Sequence, residues 1–155
     1  GEKLIEAGDF VTLDYGCKVQ GYCSDMTRTV AVGYASNEMR SIYELVLLAQ
    51  QTACDSIRAG LLCEDADSIA RNIIVEAGYG EYFGHGLGHG TGLEIHEAPR
   101  LRPGYEGTLK ENHIVSVEPG IYLPGRFGVR IEDLALVKPF GIINLTSSPK
   151  DLLIL

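Results

Sequence analysis

Basic residues are scarce in this chain. Its 155 residues include 13 Lys and Arg against 21 Asp and Glu, a formal net charge of −8. Without a basic cluster, such a chain is a poor partner for nucleic acid or an anionic membrane, because the phosphate term of that binding needs Lys and Arg. No apolar run approaches the roughly 20 residues of a membrane span. The opening Gly1-Glu2-Lys3-Leu4-Ile5-Glu6 has no basic segment leading into an apolar one, so no secretory leader is expected. The four cysteines, Cys17, Cys23, Cys54 and Cys63, form no CxxC pair, which argues against a zinc ribbon and a thioredoxin motif. Reduced thiols in a cytoplasmic protein are the expectation. Repeats, linkers and low-complexity runs are also missing.

What is present fits one ordinary globular domain, 45% hydrophobic and 22% charged, long enough to bury a core without staples. Phe10–Tyr15 and Asp25–Val32 are rich in Thr, Val and aromatics, with a turn over Gly16–Gly21, and predict a hairpin closed by Gly33. Residues 37–59 predict a helix capped by Ser36, with Met39, Ile42, Tyr43, Val46, Ala49, Ala53 and Ile57 on one face and Gly60 as its left-handed cap. A second helix is predicted over about 64–77 and stopped by Gly78. Gly84–Gly92 holds five glycines in nine residues, which suits a close backbone approach. Pro99, Pro103 and Gly104 suggest a surface excursion. Strands are predicted at His113–Val117 and Val129–Val137, with Leu152–Leu155 as a buried terminal strand. Hairpin, helices, then strands make an α+β domain.

Five polar residues stand out: Asp14, Asp25, His89, Glu118 and Glu132. The four carboxylates sit in apolar, strand-like runs such as Leu13-Asp14-Tyr15, Val117-Glu118 and Ile131-Glu132, where core residues belong. An ionised carboxylate in such a place must be neutralised, paired or metal-bound. Carboxylates with imidazole suit hard or borderline divalent ions. Two such ions would balance four carboxylates, and a two-metal centre can hold a bridging hydroxide and polarise a carbonyl. His113, Tyr122 and Phe127 read as ordinary packing or surface residues. Cys23 reads as packing at the edge of the site, and Glu97 as either a support for the site or an exposed residue.

Four segments in order carry a resemblance. Asp14-Tyr15-Gly16 with Gly21-Tyr22-Cys23-Ser24-Asp25-Met26-Thr27-Arg28-Thr29 resembles the first metal-binding hairpin of the pita-bread metallopeptidases, the family of prolidase, aminopeptidase P, methionine aminopeptidase and creatinase. Gly84-His85-Gly86-Leu87-Gly88-His89-Gly90-Thr91-Gly92 through His96-Glu97-Ala98-Pro99 resembles its proline-peptidase histidine motif. Ser116-Val117-Glu118-Pro119-Gly120 and Val129-Arg130-Ile131-Glu132-Asp133 resemble its two glutamate motifs.

The resemblance implies a pita-bread fold, a mixed or antiparallel curved sheet with helices on its outer face. It covers residues 8–155 and implies that residues 1–155 are the C-terminal catalytic part of a bacterial-type enzyme, incomplete on the N-terminal side, whose activity without the missing part is in doubt. Asp14 would bind one metal, Asp25 and Glu132 would bridge two, and His89 and Glu118 would complete the second. Glu118 would also shuttle the proton, His96 would stabilise the oxyanion, His85 would line the pocket, and Arg130 would offset carboxylate charge. The metals would be two Mn²⁺, with Co²⁺ or Zn²⁺ as alternatives. The implied activity is hydrolysis of the Xaa-Pro bond in dipeptides or peptide N-termini. The implied partners are a proline-containing peptide and, in the full-length protein, a second copy in a homodimer. The alternatives are a non-catalytic peptide-binding module of the same fold and a methionine aminopeptidase. The first lacks an intact ligand set, and the second lacks the His85–His89 pair in this form.

Overall fold

The fold begins with an antiparallel pair. Strand β1, Phe10–Tyr15, runs against a later strand, Met26–Ala31, from Phe10 opposite Ala31 to Tyr15 opposite Met26. The connection is more ordered than the expected turn. It contains a minor hairpin of β2, Lys18–Val19, and β3, Tyr22–Cys23, so Met26–Ala31 becomes β4. Gly16 permits the pinch at its base, because a Cβ there would lie 1.9 Å from the Ser24 carbonyl oxygen. These relations hold within residues 3–155, which the computed structural model describes.

Helix α1 spans Asn37–Ser56, and the Ser36 hydroxyl accepts the Met39 N–H as its cap. It ends sooner than its apolar stripe suggests. Ile57 is fully buried but extended, and the Ala59 N–H bonds to the Lys138 carbonyl. Gly60 therefore serves the following loop and does not cap the helix. Helix α2 spans Cys63–Glu76. Gly78 stops it as expected: the Gly78 N–H reaches the Val75 carbonyl and the Tyr79 N–H reaches that of Ile74, the paired bonds of a left-handed C-cap.

The second half of the chain builds a five-stranded antiparallel sheet. Its strands are β5 (Gly88–Gly90), β6 (Glu97–Leu101), β7 (Ile114–Val117), β10 (Asp133–Lys138) and β11 (Gly141–Asn144), in the order β11-β10-β7-β5-β6. Beside it β8 (Gly120–Leu123) and β9 (Phe127–Arg130) form a hairpin. Three expectations change here. The run Val129–Val137 is two strands, because the chain leaves the β8 partner at Ile131–Glu132 and joins β7. The region of Pro99 contains β6, an edge strand that tolerates proline. Leu152–Leu155 is not a buried strand: Ile154 makes an isolated bridge to Ala31, and Leu153, Ile154 and Leu155 are exposed.

Alternation along the strands separates two faces. Val115, Val117, Ala135 and Val137 join Ile42, Val46, Ala53, Ala70 and Ile74 of the helices in one apolar cluster. Ser116 and Leu134, outside that cluster, alternate with them, and the same side leads to Glu118 and Glu132. The α+β class, the antiparallel pairing and the helices packed on one face agree with the sequence.

Candidate metal centre

All but one of the five candidate ligands sit at or near a strand end or break. Asp14 lies near the end of β1, and Asp25 immediately precedes β4. His89 is the middle residue of β5, Glu118 follows β7, and Glu132 fills the break between β9 and β10. The glycines flanking His89 have a concrete purpose. A Cβ on Gly88 would meet the Ser116 carbonyl oxygen at 2.0 Å, and one on Gly90 would meet that of Ala98 at 2.3 Å. The close approach expected of this loop is thus made to neighbouring strands.

The five side chains converge. Three sets of donor atoms each lie within 4.8 Å of one another: Asp14, Asp25 and Glu132; His89, Glu118 and Glu132; Asp25, His89 and His96. Glu132, Asp25 and His89 each belong to two sets. His89 Nδ1 faces the Gly90 carbonyl at 3.1 Å, so that nitrogen carries the proton. Its Nε2 points at Glu118 Oε1, 3.1 Å away, and at Asp25 Oδ2, 3.9 Å away. Ser116 accepts the His89 N–H and donates its hydroxyl to Glu118 Oε1 at 2.8 Å, which orients both groups. Asp14 departs from expectation: it is exposed, because the second half of β1 is open to solvent.

The electrostatics show strain without a cation. Burial, reinforced by the charges of Glu118, Asp25 and Asp14, pushes the Glu132 carboxyl up to about 8 despite its hydrogen bond from Thr27. Burial and the Asp14 charge also raise Asp25. Burial disfavours the His89 imidazolium, but hydrogen bonds to Glu118 and Gly90 outweigh it and raise that pKa. Burial alone would raise Glu118, yet His89 holds it low. One atom is decisive. Glu132 Oε1 is buried and has no hydrogen-bond partner among the described residues, whereas Oε2 accepts from Thr27 Oγ1 at 2.6 Å. A buried oxygen left so is costly unless something binds it. A divalent ion would satisfy it and neutralise its neighbours, and the oxygen and imidazole donors suit Mn²⁺, Co²⁺ or Zn²⁺.

The remaining chosen residues surround this cluster. His96 is exposed, with its ring 4.3 Å from that of His89. Arg130 donates to Asp14, to Thr27 Oγ1 and to the Tyr122 hydroxyl, so it offsets carboxylate charge directly. His85 Nδ1 lies 2.8 Å from the Gly86 carbonyl, and its Nε2 lies 2.8 Å from the Tyr122 oxygen. The Gly86 carbonyl can only accept, so Nδ1 carries the proton of the neutral ring and Nε2 accepts from the Tyr122 hydroxyl, whose oxygen accepts from Arg130. Tyr122 is therefore a correction: it links His85 to Arg130 and is more than packing. Asp67 was also missed. Fully buried on α2, it accepts the Leu87 N–H and pairs with Arg71, which donates to the Phe83 and His85 carbonyls. Glu97 accepts the Glu94 N–H and supports its own loop. His113 stays outside the cluster, accepting the Lys110 N–H, and Phe127 packs edge-on against Phe10.

Known proteins share this fold. The model of metallopeptidase family M24 matches residues 1–139. The chain is 49% identical over 152 residues to an Xaa-Pro dipeptidase of Pyrococcus horikoshii, covering 98% of this chain and 43% of that protein. The solved Xaa-Pro dipeptidase from Bacillus anthracis superposes with a TM-score of 0.98 at 54% identity, over 100% of this chain and 44% of that one. An X-Pro aminopeptidase from Thermotoga maritima MSB8 superposes with a TM-score of 0.97 at 42% identity, again over 100% and 44%. The chain thus spans less than half the length of these relatives, and its architecture is the pita-bread fold of the prolidase structures. It belongs to metallopeptidase family M24, whose members use divalent metals.

Proposed function

We propose that this chain carries the metal centre of a cytoplasmic Xaa-Pro peptidase that hydrolyses Xaa-Pro dipeptides with two Mn²⁺. The observation that carries the reading is the convergence of Asp14, Asp25, His89 and Glu118 with Glu132, one of whose oxygens is buried without a partner among the described residues. Asp14 would hold one ion, Asp25 and Glu132 would be shared, and His89 and Glu118 would complete the second. When bound, the ions supply Lewis acidity toward the scissile carbonyl and make water acidic enough to attack at neutral pH.

The chain's own residues supply the rest. Glu118, oriented by Ser116, takes the proton of the attacking water and returns it to the leaving imino nitrogen. His96, exposed beside His89, donates to the developing oxyanion. His85, held by Tyr122 and Gly86, lines the substrate side. Arg130 restrains Asp14 and Tyr122 together. The dipeptide preference follows the names of the relatives at 49% identity. Four free cysteines fit a reducing compartment, and the exposed Leu13, Tyr15, Val19 and Tyr22 fit a homodimeric assembly.

The test is hydrolysis by chelated protein reloaded with Mn²⁺. Release of proline from Xaa-Pro dipeptides, abolished by chelator and by Asp25→Asn, is expected. Cleavage of Met-Ala but not Xaa-Pro peptides would instead mark a methionine aminopeptidase. Binding of proline peptides without cleavage would mark a peptide-binding module.

A further inference from the structure

Asp25 and Glu132 belong to different parts of the fold. Asp25 precedes β4, which pairs with β1 in a two-stranded sheet, and Glu132 precedes β10 of the five-stranded sheet. One isolated bridge, between Thr27 and Glu132, joins the two regions at this point. Carboxylates that share two ions must be placed within a fraction of an ångström, and a single bridge is a weak way to place them. Side chains reinforce it: Thr27 Oγ1 donates to Glu132, Thr29 Oγ1 bonds the Arg130 N–H and carbonyl, and Arg28, which is 7% exposed, bonds the carbonyls of both bridge residues.

All five N–H donors of the Arg28 guanidinium are used. Nε donates to the Pro149 carbonyl at 3.0 Å. One terminal nitrogen donates to the carbonyls of Thr27 at 2.8 Å and Glu132 at 2.6 Å. The other donates to the Ser148 carbonyl at 2.9 Å and to Asp133 Oδ1 at 2.7 Å. One nitrogen therefore grips both residues of the bridge. From the side of Glu132, the count is equally complete. Its N–H bonds to the Thr27 carbonyl, its carbonyl accepts from Arg28, and its Oε2 accepts from Thr27 Oγ1. Thr27 and Arg28 hold every polar group of Glu132 except Oε1, the oxygen without a partner. A guanidinium can do this because its donors are planar and fixed in direction, whereas an ammonium is a point charge on a flexible stem.

We propose that Arg28 is a positioning residue: it fixes the Glu132 backbone against the strand of Asp25 and thereby sets the affinity of the second divalent ion. This rests on the two-ion reading above. Arg28 touches no ion or substrate and acts through Glu132 and Thr27. A role limited to neutralising Asp133 would use one of its five hydrogen bonds and leave the grip on the bridge without purpose.

The experiment titrates chelated chain with Mn²⁺ in a calorimeter and follows the spin coupling of the bound pair by electron paramagnetic resonance. Arg28→Lys keeps the charge and loses the fork. It should weaken the second ion by about 10- to 100-fold, the usual cost of disturbing a ligand's supports, and abolish the coupled signal. Ile74→Val, in the helix-facing core, controls for general destabilisation and should leave affinity within about twofold, as expected for a distant site. Asp133→Asn, which takes the anion from the fork, should weaken the second ion in the same direction by a smaller factor, and it decides the matter if Arg28→Lys does not fold. Unchanged affinity and coupling in the folded Arg28 and Asp133 variants overturn the proposal, as does an equal loss in Ile74→Val. Wild-type chain that takes up no Mn²⁺ overturns both this inference and the metal-centre reading. Wild-type chain with two ions and unaffected variants overturns the role of Arg28 alone.

Discussion

Glu132 and Asp133 are adjacent, and both are buried, at 2% and 0% exposure. Their surroundings are opposite. Asp133 Oδ1 accepts from Arg28, and its Oδ2 accepts from Gln50, Asn144 and Lys150. Burial would raise its pKa, but Lys150, Arg28 and Asn144 together hold it below the ordinary value. Glu132 has one hydrogen bond from a neutral hydroxyl, one oxygen with nothing, and other carboxylates nearby. Its pKa rises to about 8. Asp133 is a finished structural ion cluster, and Glu132 is a carboxylate kept incomplete by the protein alone. Burial by itself does not distinguish a structural charge from a functional one; the completeness of its partners does.

The largest expected effect breaks the pair at its functional member. Glu132→Gln should reduce bound Mn²⁺ from about two ions to one, because a neutral amide is a poor bridging ligand, and Xaa-Pro hydrolysis should fall to background; elemental analysis and a proline-release assay check both. The structural member fails differently. Asp133→Asn leaves buried Arg28 and half-buried Lys150 without their anion and should cost about 3–5 kcal/mol in urea unfolding.

The next prediction is the pH dependence of the metal-free chain, where the two residues have opposite signs. The folded pKa of Glu132, about 8, lies above its ordinary 4.5. Between those values the folded state holds a proton that the unfolded state has lost, so stability falls as pH rises through that window. The raised pKa of His89 adds stability at low pH that is lost as pH rises through its folded value. Asp133, with a lowered pKa, contributes stability above its ordinary value of 3.8 that is lost as pH falls through its folded value. Chelated wild type should therefore melt lower at pH 8 than at pH 5. Glu132→Gln should flatten that slope, leaving the parts due to His89 and Asp25, and Asp133→Asn should reduce the acid-side loss, leaving the part due to Glu118. The smallest effect is expected at the rim: Tyr122→Phe should cost about 1 kcal/mol and leave the ion count unchanged, as a melting curve and an Mn²⁺ titration would show.

The sequence made the candidate ligands legible because charged residues inside apolar runs are conspicuous. Asp25, Glu118 and Glu132 stand out in that way, and the glycines around His89 signalled crowding. The supports of these residues were not legible. Thr27 meets Glu132 across 105 positions, and nothing local separates it from Thr29. Tyr122 lies in the apolar strand Gly120–Leu123, and its partners are His85, 37 positions earlier, and Arg130, eight later. Asp67 follows Glu64 and Asp65 in an acidic first turn, yet it alone meets the Leu87 N–H. The break at Ile131–Glu132 was hidden because β9 and β10 both alternate and together read as one strand. Helix faces and the antiparallel class depend on local periodicity, which one sequence displays; long-range hydrogen bonds do not.

The most direct test of the central claim is calorimetric titration of the chelated 155-residue chain with Mn²⁺ near neutral pH, in two buffers of different ionisation enthalpy. The account predicts two ions per chain and net proton release on binding, because Glu132 carries a proton that metal displaces. Uptake of no ion, or two ions bound without proton release, would contradict it.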